Sequence, residues 1–561
     1  MAEGPYVKED FTEAERSLVG HHFTNTDLPV FCLTDLPEAV KGALFARYSR
    51  TQKSLRRLYL DEFAGRSGAG AAPGGSLDAC STGRAEQLYD RVLGEFGDDS
   101  VAHLGSVHVA CEQVSQLLVK VIERPRVGAA YLEKSTRYVP FTALRPDGTR
   151  LYYRDPAILA SPAGDEYVRT LDGMFAAYDH LVPLLTDHFG RLLSKDGVPD
   201  GAWKATVRAK ALDAVRGLLP AATLTNVGAH GTGQMMEGLM ARMAASPLPE
   251  VSAYRGMMLP ELRKVIPDFL KRVDVPDRGG AWSVYLEETR RALADLVESS
   301  GYTSQFVPKG LLDRISELCG SPLVDGAVRL VEWDRYGEER IAAAILYPHS
   351  DLPLSVLRGL MANPGPPNRE GHHNFLRDVI IAGAGHRSNR RHRPGRGFEA
   401  AQYTFDVVGD YGVFRDLQRH RLCTTEWQQL TPGHGYDVPE AVDEAGGGPL
   451  YREQMARSAA LWERLRATPG LVPEQAQYAV ALGYKVRFLL SANAREMTHI
   501  IELRTQPGGH PAYRSICQAM YRLIACVHPT VAEVMRFADL SGAPDGRLAA
   551  EVRAQLAQVP S

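Results

Sequence analysis

The stretch YLEKSTRY, Tyr131 to Tyr138, has its counterpart far downstream in DLQRHR, Asp416 to Arg421. Both are dense in guanidinium and hydroxyl groups, the residue types that grip a dianionic phosphate through charge-assisted, often bidentate bonds. Such bonds contribute on the order of 1.5 to 3 kcal/mol each. Neither stretch carries much weight alone. Arginine and serine beside a helix end more often cap it or pair on the surface, and a second Arg-His-Arg occurs at Arg391, His392 and Arg393. That second triplet, with Arg387, Arg390 and Arg396, reads first as a solvated basic loop and otherwise as part of a phosphate site. Ser135 has no activating histidine and aspartate pattern beside it, so it is a hydrogen-bond donor rather than a nucleophile.

Working outward, the chain repeats itself. AYRGMMLPELR at 253–263 and AYRSICQAMYR at 512–522 share Ala, Tyr and two Arg at one spacing: residues 254 and 513 stand 259 apart. Upstream, GQMMEGLMARM resembles REMTHIIELRT and sets Arg242 against Arg504, 262 apart. Two copies are expected, from about Leu28 to Val273 and from about Asp325 to Phe537. In the first, RAEQLYDRVLGEFG places Leu88, Val92 and Phe96 on one helical face, and EQVSQLLVKVIERP does the same with Val114, Leu117, Leu118 and Val121, closed by Pro125. The Gly-rich GRSGAGAAPGGS and the later HGYDVPEAVDEAGGGP are expected surface loops. In the second, GAVRLVEWDRYGEERIAAAILY is a strand leading into an amphipathic helix. AAQYTFDVV alternates as a half-buried strand, with Tyr403, Phe405 and Val407 on one face. The methionines of MMEGLMARM read as core.

At 561 residues the chain exceeds the size at which single cores stop growing, roughly 250 to 300 residues, so at least two domains are expected. The 64 Lys+Arg against 67 Asp+Glu leave a net charge of −3, which gives no electrostatic case for a nucleic-acid polymer. Seven scattered cysteines without a CxxC pair suit a reduced compartment and neither a zinc site nor a disulfide framework. Cys423 reads as inert packing. The polar, acidic N-terminus has no signal-peptide core, and no window holds the roughly 18 apolar residues of a membrane span. A cytoplasmic protein is expected.

The two stretches together resemble the flavin-dependent thymidylate synthases. That family's pattern joins an RHR triplet to a serine after seven intervening residues, with Glu two before the serine and Arg-Tyr just after. Here Arg419, His420 and Arg421 follow a YTFDVV strand, but the serine position holds Gln429, with Thr431 and Pro432 where Arg and Tyr would stand. The first copy shows the reverse: Glu133, Ser135, Arg137 and Tyr138 match, while Pro125, Arg126 and Val127 occupy the triplet. Arg216 in VRGLLP matches an arginine four residues before a proline, where the second copy has Gln477; Asn493, Arg495, Leu503 and Arg504 match later elements. Each copy has lost what the other keeps. Departures remain: Asp98, Ser100 and His103 stand for the family's Glu, hydroxyl residue and His in the first copy, the second has Glu399 with Arg396 at the hydroxyl position, and Asp416 replaces a common Gln.

The resemblance implies an α+β fold, two diverged copies of the synthase fold in one chain, with domains at 1–300 and 301–561. It implies FAD as cofactor, NADPH and methylenetetrahydrofolate as co-substrates, and reductive C5 methylation of dUMP. Arg216 and Arg504 would act catalytically. Glu133, Ser135, Thr136, Arg137 and Arg419 would bind substrate. Ser100, His103, Arg419, His420, Arg421, Asn493 and His499 would hold the cofactor, and no metal is implied. Because the family's sites lie between subunits, a homodimer arranged as a pseudo-tetramer is expected, with nucleotide and folate as small-molecule partners and neither nucleic acid nor membrane. Two alternatives stay open: the same scaffold acting on another pyrimidine nucleotide such as UMP, and a non-catalytic flavin or nucleotide binder.

Overall fold

A computed structural model describes residues 9–48, 51–64, 103–300, 323–362 and 369–541, and residues 546, 548, 549 and 552 beyond them. The expected helix at 84–97 and the Gly-rich loop at 65–76 lie outside the described residues. In chain order come α1 (Glu13–His22), α2 (Glu38–Tyr48), β1 (Ser106–Ser115), α3 (Gln116–Ile122), β2 (Ala129–Glu133), α4 (Gly164–Leu192), α5 (Asp200–Val215), β3 (Leu224–Thr232), α6 (Gly233–Ala244), α7 (Pro249–Val265) and α8 (Ala281–Ser300). There follow β4 (Leu323–Asp325), β5 (Val328–Trp333), α9 (Gly337–Leu346), β6 (Gln402–Asp410), α10 (Tyr411–Gln418), β7 (Thr424–Trp427), α11 (Gly448–Arg466), β8 (Lys485–Asn493), α12 (Ala494–Arg504) and α13 (Pro511–Val527).

These elements form two compact units. The first takes Met1–Glu112, Leu118–Glu133 and Asn226–Ser300; the second takes Gln113–Leu117, Lys134–Thr225 and Gly301–Ser561. The first unit is built on a three-stranded sheet of order β1-β3-β2, with β2 antiparallel to β3 from Ala129↔Gly231 to Glu133↔Val227. Met235, Met236, Met240 and Met243 of α6 are buried, so the methionine run is core. The second unit holds a five-stranded sheet of order β4-β5-β6-β8-β7, in which β6 and β8 pair along their full lengths, Gln402↔Asn493 to Asp410↔Lys485. Tyr403, Phe405 and Val407 are fully buried, as the alternation of AAQYTFDVV requires, and β5 leads into α9 as expected.

The repeat recurs in the elements. Strand, helix, strand (β1, α3, β2) and then strand, helix, helix (β3, α6, α7) return as β6, α10, β7 and β8, α12, α13, and each set orders its strands first, third, second. β3 and β8 both have nine residues and begin 261 apart (224 and 485). α7 and α13 both have 17 residues, carry proline at the first helical position and begin 262 apart (249 and 511). Proline suits that position because its missing N–H would be unsatisfied there anyway. The 259 spacing of the AYR identities is therefore displaced by three residues, nearly one helical turn of 3.6. The shared residues fall on similar faces rather than on equivalent positions.

Two local expectations need correction. EQVSQLLVKVIERP is not one helix: Val114 lies in β1, which ends at Ser115, and only Gln116–Ile122 is helical. The i, i+3, i+4, i+7 spacing is helical, but the residues up to Ser115 are strand because β1 pairs with β3. HGYDVPEAVDEAGGGP is not all loop, since Glu440–Glu444 forms a short helix with Val442 fully buried.

Candidate active site

Both retained half-motifs from Ser135 and from Arg419 onward lie in the second compact unit. Ser135 opens a turn after β2, its hydroxyl accepting from the Arg137 amide at 3.2 Å. Thr136 is 1% exposed, and its hydroxyl accepts from Arg415 Nη2 of α10 at 3.0 Å. The segment with the serine is thus bonded directly to the helix that delivers Arg-His-Arg. Arg137 Nε meets both oxygens of Asp213, at 3.0 and 2.8 Å, and Asp213 Oδ1 is also 3.4 Å from Arg216 Nη1. Burial opposes the Arg137 charge, yet Asp213 and Asp416 hold its pKa above the ordinary arginine value. The Asp416 carboxyl is likewise disfavoured by burial and held below its ordinary value by Arg504, Arg415, Arg216 and Arg419. Residues drawn from α5, α10, α12 and the turn after β2 therefore share one electrostatic cluster.

A cavity of about 80 Å³ opens in this cluster, lined by Thr136, Arg216, Asp410, Arg415, Tyr451 and His510 among others. Arg216 is 7% exposed; its Nη1 stands in ion-pair range of Asp213 at 3.4 Å but makes no hydrogen bond among the described residues. A buried, unsatisfied donor of this kind normally costs stability and points to a missing acceptor. Two glycines make room for the walls. A Cβ on Gly412 would strike the Arg216 guanidinium, and one on Gly217 would strike the Tyr451 hydroxyl.

His510 was not singled out by the sequence. It caps α13, Nδ1 accepting from the Ala512 amide at 3.2 Å. Burial, then Arg216, hold its pKa down at about 4, so near neutral pH the ring is uncharged. With Nδ1 used as an acceptor, the proton sits on Nε2 and makes that nitrogen a neutral donor. The signal available in the sequence was only His-Pro at a helix start.

The sequence comparisons bear on this geometry. The family model described as thymidylate synthase complementing protein matches residues 50–268 and 342–530. The chain belongs to the thymidylate synthase complementing protein family. It is matched twice, as a tandem-duplicated long form. A UPF0159 protein of Chlamydia muridarum is 38% identical over 97% of this chain and 98% of its own length. Another, from Chlamydia pneumoniae, is 37% identical over 97% and 98%. A UPF0159 protein of Thermoplasma acidophilum is 30% identical over 91% and 98%.

Arg504 makes one contact from each of its three guanidinium nitrogens. It donates from Nε to His420 Nε2 at 3.0 Å and from Nη2 to the Asp416 carbonyl at 2.6 Å, while Nη1 stands 3.4 Å from Asp416 Oδ1. Since His420 accepts at Nε2, its proton belongs on Nδ1, facing Glu496 Oε1 at 3.5 Å. Burial lowers the His420 pKa. Arg393 takes the other Glu496 oxygen at 3.2 Å. His499 is held at about 4 by burial and by Arg393. His420, Glu496 and His499 offer ligand atoms within 4.8 Å of one another, while Arg504 donates to His420 Nε2 and Arg393 to Glu496 Oε2. His420 faces Glu496, and the His499 ring stands against that of His420 with centroids 5.7 Å apart.

The remaining expected site residues are dispersed. Arg419 is half-buried and Arg421 exposed. Asn493 caps α12, its side-chain oxygen accepting from the Glu496 amide at 3.0 Å. Cys423 is 1% exposed and its thiol donates to the His420 carbonyl at 2.7 Å. Glu133 and His103 belong to the first unit. There Glu133 is buried with Lys120 Nζ at 3.9 Å, and His103 is exposed. Ser100 lies outside the described residues. The second Arg-His-Arg is not wholly a solvated loop: Arg387 is 6% exposed, donates to the Val534 carbonyl at 3.2 Å and pairs with Glu502. Arg396 is exposed as expected.

Proposed function

We propose that this protein is a flavin-dependent thymidylate synthase built as two diverged copies of the fold in one chain. It would methylate C5 of dUMP reductively, with methylenetetrahydrofolate as carbon donor and NADPH as reductant. The single observation that carries this reading is the Thr136 to Arg415 hydrogen bond at 3.0 Å, which joins the half-motif kept by one copy to the helix that leads into the half-motif kept by the other. The donor set also fits. A spare guanidinium N–H on buried Arg216 and a neutral imidazole donor on His510 suit the oxygens of a phosphate or carbonyl, and the cavity of about 80 Å³ is of a size for such a group.

FAD, when bound, would supply the redox chemistry that turns a transferred one-carbon unit into a methyl group. The chain's own residues orient and stabilise. Ser135, Thr136, Arg137 and Arg419, with Glu133, are assigned to the nucleotide. Arg216 and Arg504 are assigned to negative charge developing on the pyrimidine, where preorganised donors lower the barrier most. Arg419, His420, Arg421 and His499, with Ser100 and His103, are assigned to the cofactor, and Asn493 acts on it indirectly by fixing Glu496. The proposed assembly is a homodimer in pseudo-tetrameric arrangement, in the cytoplasm. No described helix is long and apolar enough to cross a membrane.

The test is turnover of FAD-reconstituted protein with NADPH, methylenetetrahydrofolate and either dUMP or UMP. We expect dTMP from dUMP, with Arg216→Ala and Arg504→Ala each losing about 10²-fold or more. Product from UMP alone would move the assignment to another nucleotide. Flavin binding without turnover on either would overturn the catalytic reading.

A further inference from the structure

The second Arg-His-Arg is the sequence motif that the catalytic reading leaves without a task. It stands in the second unit, on a loop that is pinned at both ends. Buried Arg387 donates to the Val534 carbonyl at 3.2 Å and, through Nε, to the His392 carbonyl. Arg495 Nε holds the Pro394 carbonyl at 2.8 Å. Between these anchors the His392 amide bonds back to the Asn389 carbonyl at 3.1 Å, so residues 389–392 form a β-turn with Arg390 and Arg391 at its two central positions. The Asn389 side chain tightens it, Oδ1 accepting from the Arg391 amide at 2.9 Å. Adjacent corners of one turn therefore present two guanidinium groups from a fixed backbone.

The charge around this turn does not balance. The carboxylates that meet the loop's arginines are already committed among the described residues. Glu502 pairs with Arg387, Glu496 with Arg393 at 3.2 Å and His420 at 3.5 Å, and Glu399 with Arg396 and Arg495 at 3.4 Å each. Arg390 and Arg391 take part in no ion pair or side-chain hydrogen bond among the described residues. Their field reaches inward: burial and then Arg393 hold His499 at about 4, and Arg390 acts in the same direction. Two neighbouring uncompensated cations repel each other, and an anion that bridges them removes the repulsion. Two planar forks suit a dianion with three free acceptor oxygens, which is a phosphate monoester, better than a singly charged diester. Arg390 is half-buried and Arg391 exposed, open to a ligand arriving from solvent. With a net charge of −3 over the chain, that ligand is a small molecule rather than a nucleic-acid polymer.

We propose that the turn at 389–392 binds the phosphate monoester of a small diffusible ligand, gripped between Arg390 and Arg391. On the catalytic reading, on which only this last naming rests, the ligand is NADPH and the group its 2′-phosphate. The experiment is isothermal titration calorimetry of the full chain with NADP+ and with NAD+, which differ only in that phosphate and need no turnover. The parent should bind NADP+ at least about tenfold more tightly than NAD+, with inorganic phosphate competing against NADP+ alone. Arg390→Ala with Arg391→Ala should abolish the preference and leave NAD+ affinity and melting temperature unchanged. Arg396→Ala removes a neighbouring charge outside the turn and should keep the preference. No NADP+ binding by the parent, equal affinity for the two, a preference that survives the double variant, or one lost equally in Arg396→Ala would each overturn the proposal. The two readings fail separately. A turn-dependent preference for NADP+ in a protein that makes no dTMP leaves the phosphate site standing, whereas dTMP formed with equal use of NADPH and NADH removes the site and leaves the catalytic reading.

Discussion

Arg216 is the residue on which most of the site's physics converges. It is buried, its Nη1 lacks a hydrogen-bond partner, and the absence of a side chain at Gly412 gives it room. Gly412→Ala should therefore displace the guanidinium without unfolding the protein. We expect nucleotide affinity to fall by at least about tenfold, equivalent to about 1.4 kcal/mol, with far-ultraviolet circular dichroism unchanged; unaltered affinity would mean that Arg216 does not face the ligand. His499 and His510 offer a second test. Their folded-state pKa values of about 4 lie below the ordinary 6.5, so on acidification the unfolded chain takes up protons first. Stability is complete above about 6.5 and is lost as pH falls towards 4. The melting temperature should be several degrees lower at pH 5 than at pH 7, and His510→Gln should flatten that slope. The two motifs were legible because each is a short contiguous run. Asp213, Tyr451 and His510 were not, because their partners come from distant elements and no local spacing marks them.

At the scale of elements, strand and helix termini set where the chemistry sits. Thr232 and Asn493 occupy the same place in the two copies, each closing a nine-residue strand and capping the next helix, with their side chains accepting from Met235 and Glu496 amides. Loss of such a cap costs about 1 kcal/mol. Thr232→Ala and Asn493→Ala should each reduce unfolding free energy by about that amount in denaturant titration. Asn493→Ala should in addition disturb flavin binding through Glu496, which Thr232→Ala should leave alone. The alternation of AAQYTFDVV made β6 readable, since one face is fully buried. The boundary between β1 and α3 was not readable, because sheet pairing rather than local periodicity decides it.

At the scale of the molecule, the sequence copies and the compact units are different partitions of one chain. The second unit takes Lys134–Thr225 from the first copy and combines it with Gly301–Ser561, and the half-motifs from Ser135 and from Arg419 meet there. Complementary decay of two copies makes sense on that arrangement: once the halves are brought together, the duplicate of each half is dispensable. The offset of the repeats was visible in the sequence, but that a long segment of one copy packs with the other was not, because no local pattern records long-range pairing.

The central claim is that both half-motifs serve one ligand site. Its most direct test is the visible absorption spectrum of FAD-reconstituted protein titrated with dUMP, for the parent, Arg137→Ala and Arg419→Ala. The account predicts a flavin spectrum perturbed by dUMP in the parent, with the response weakened at least about tenfold by either substitution, since each removes a charge-assisted contact from the same site. A parent that binds no flavin, or a dUMP response indifferent to either half-motif, would contradict it.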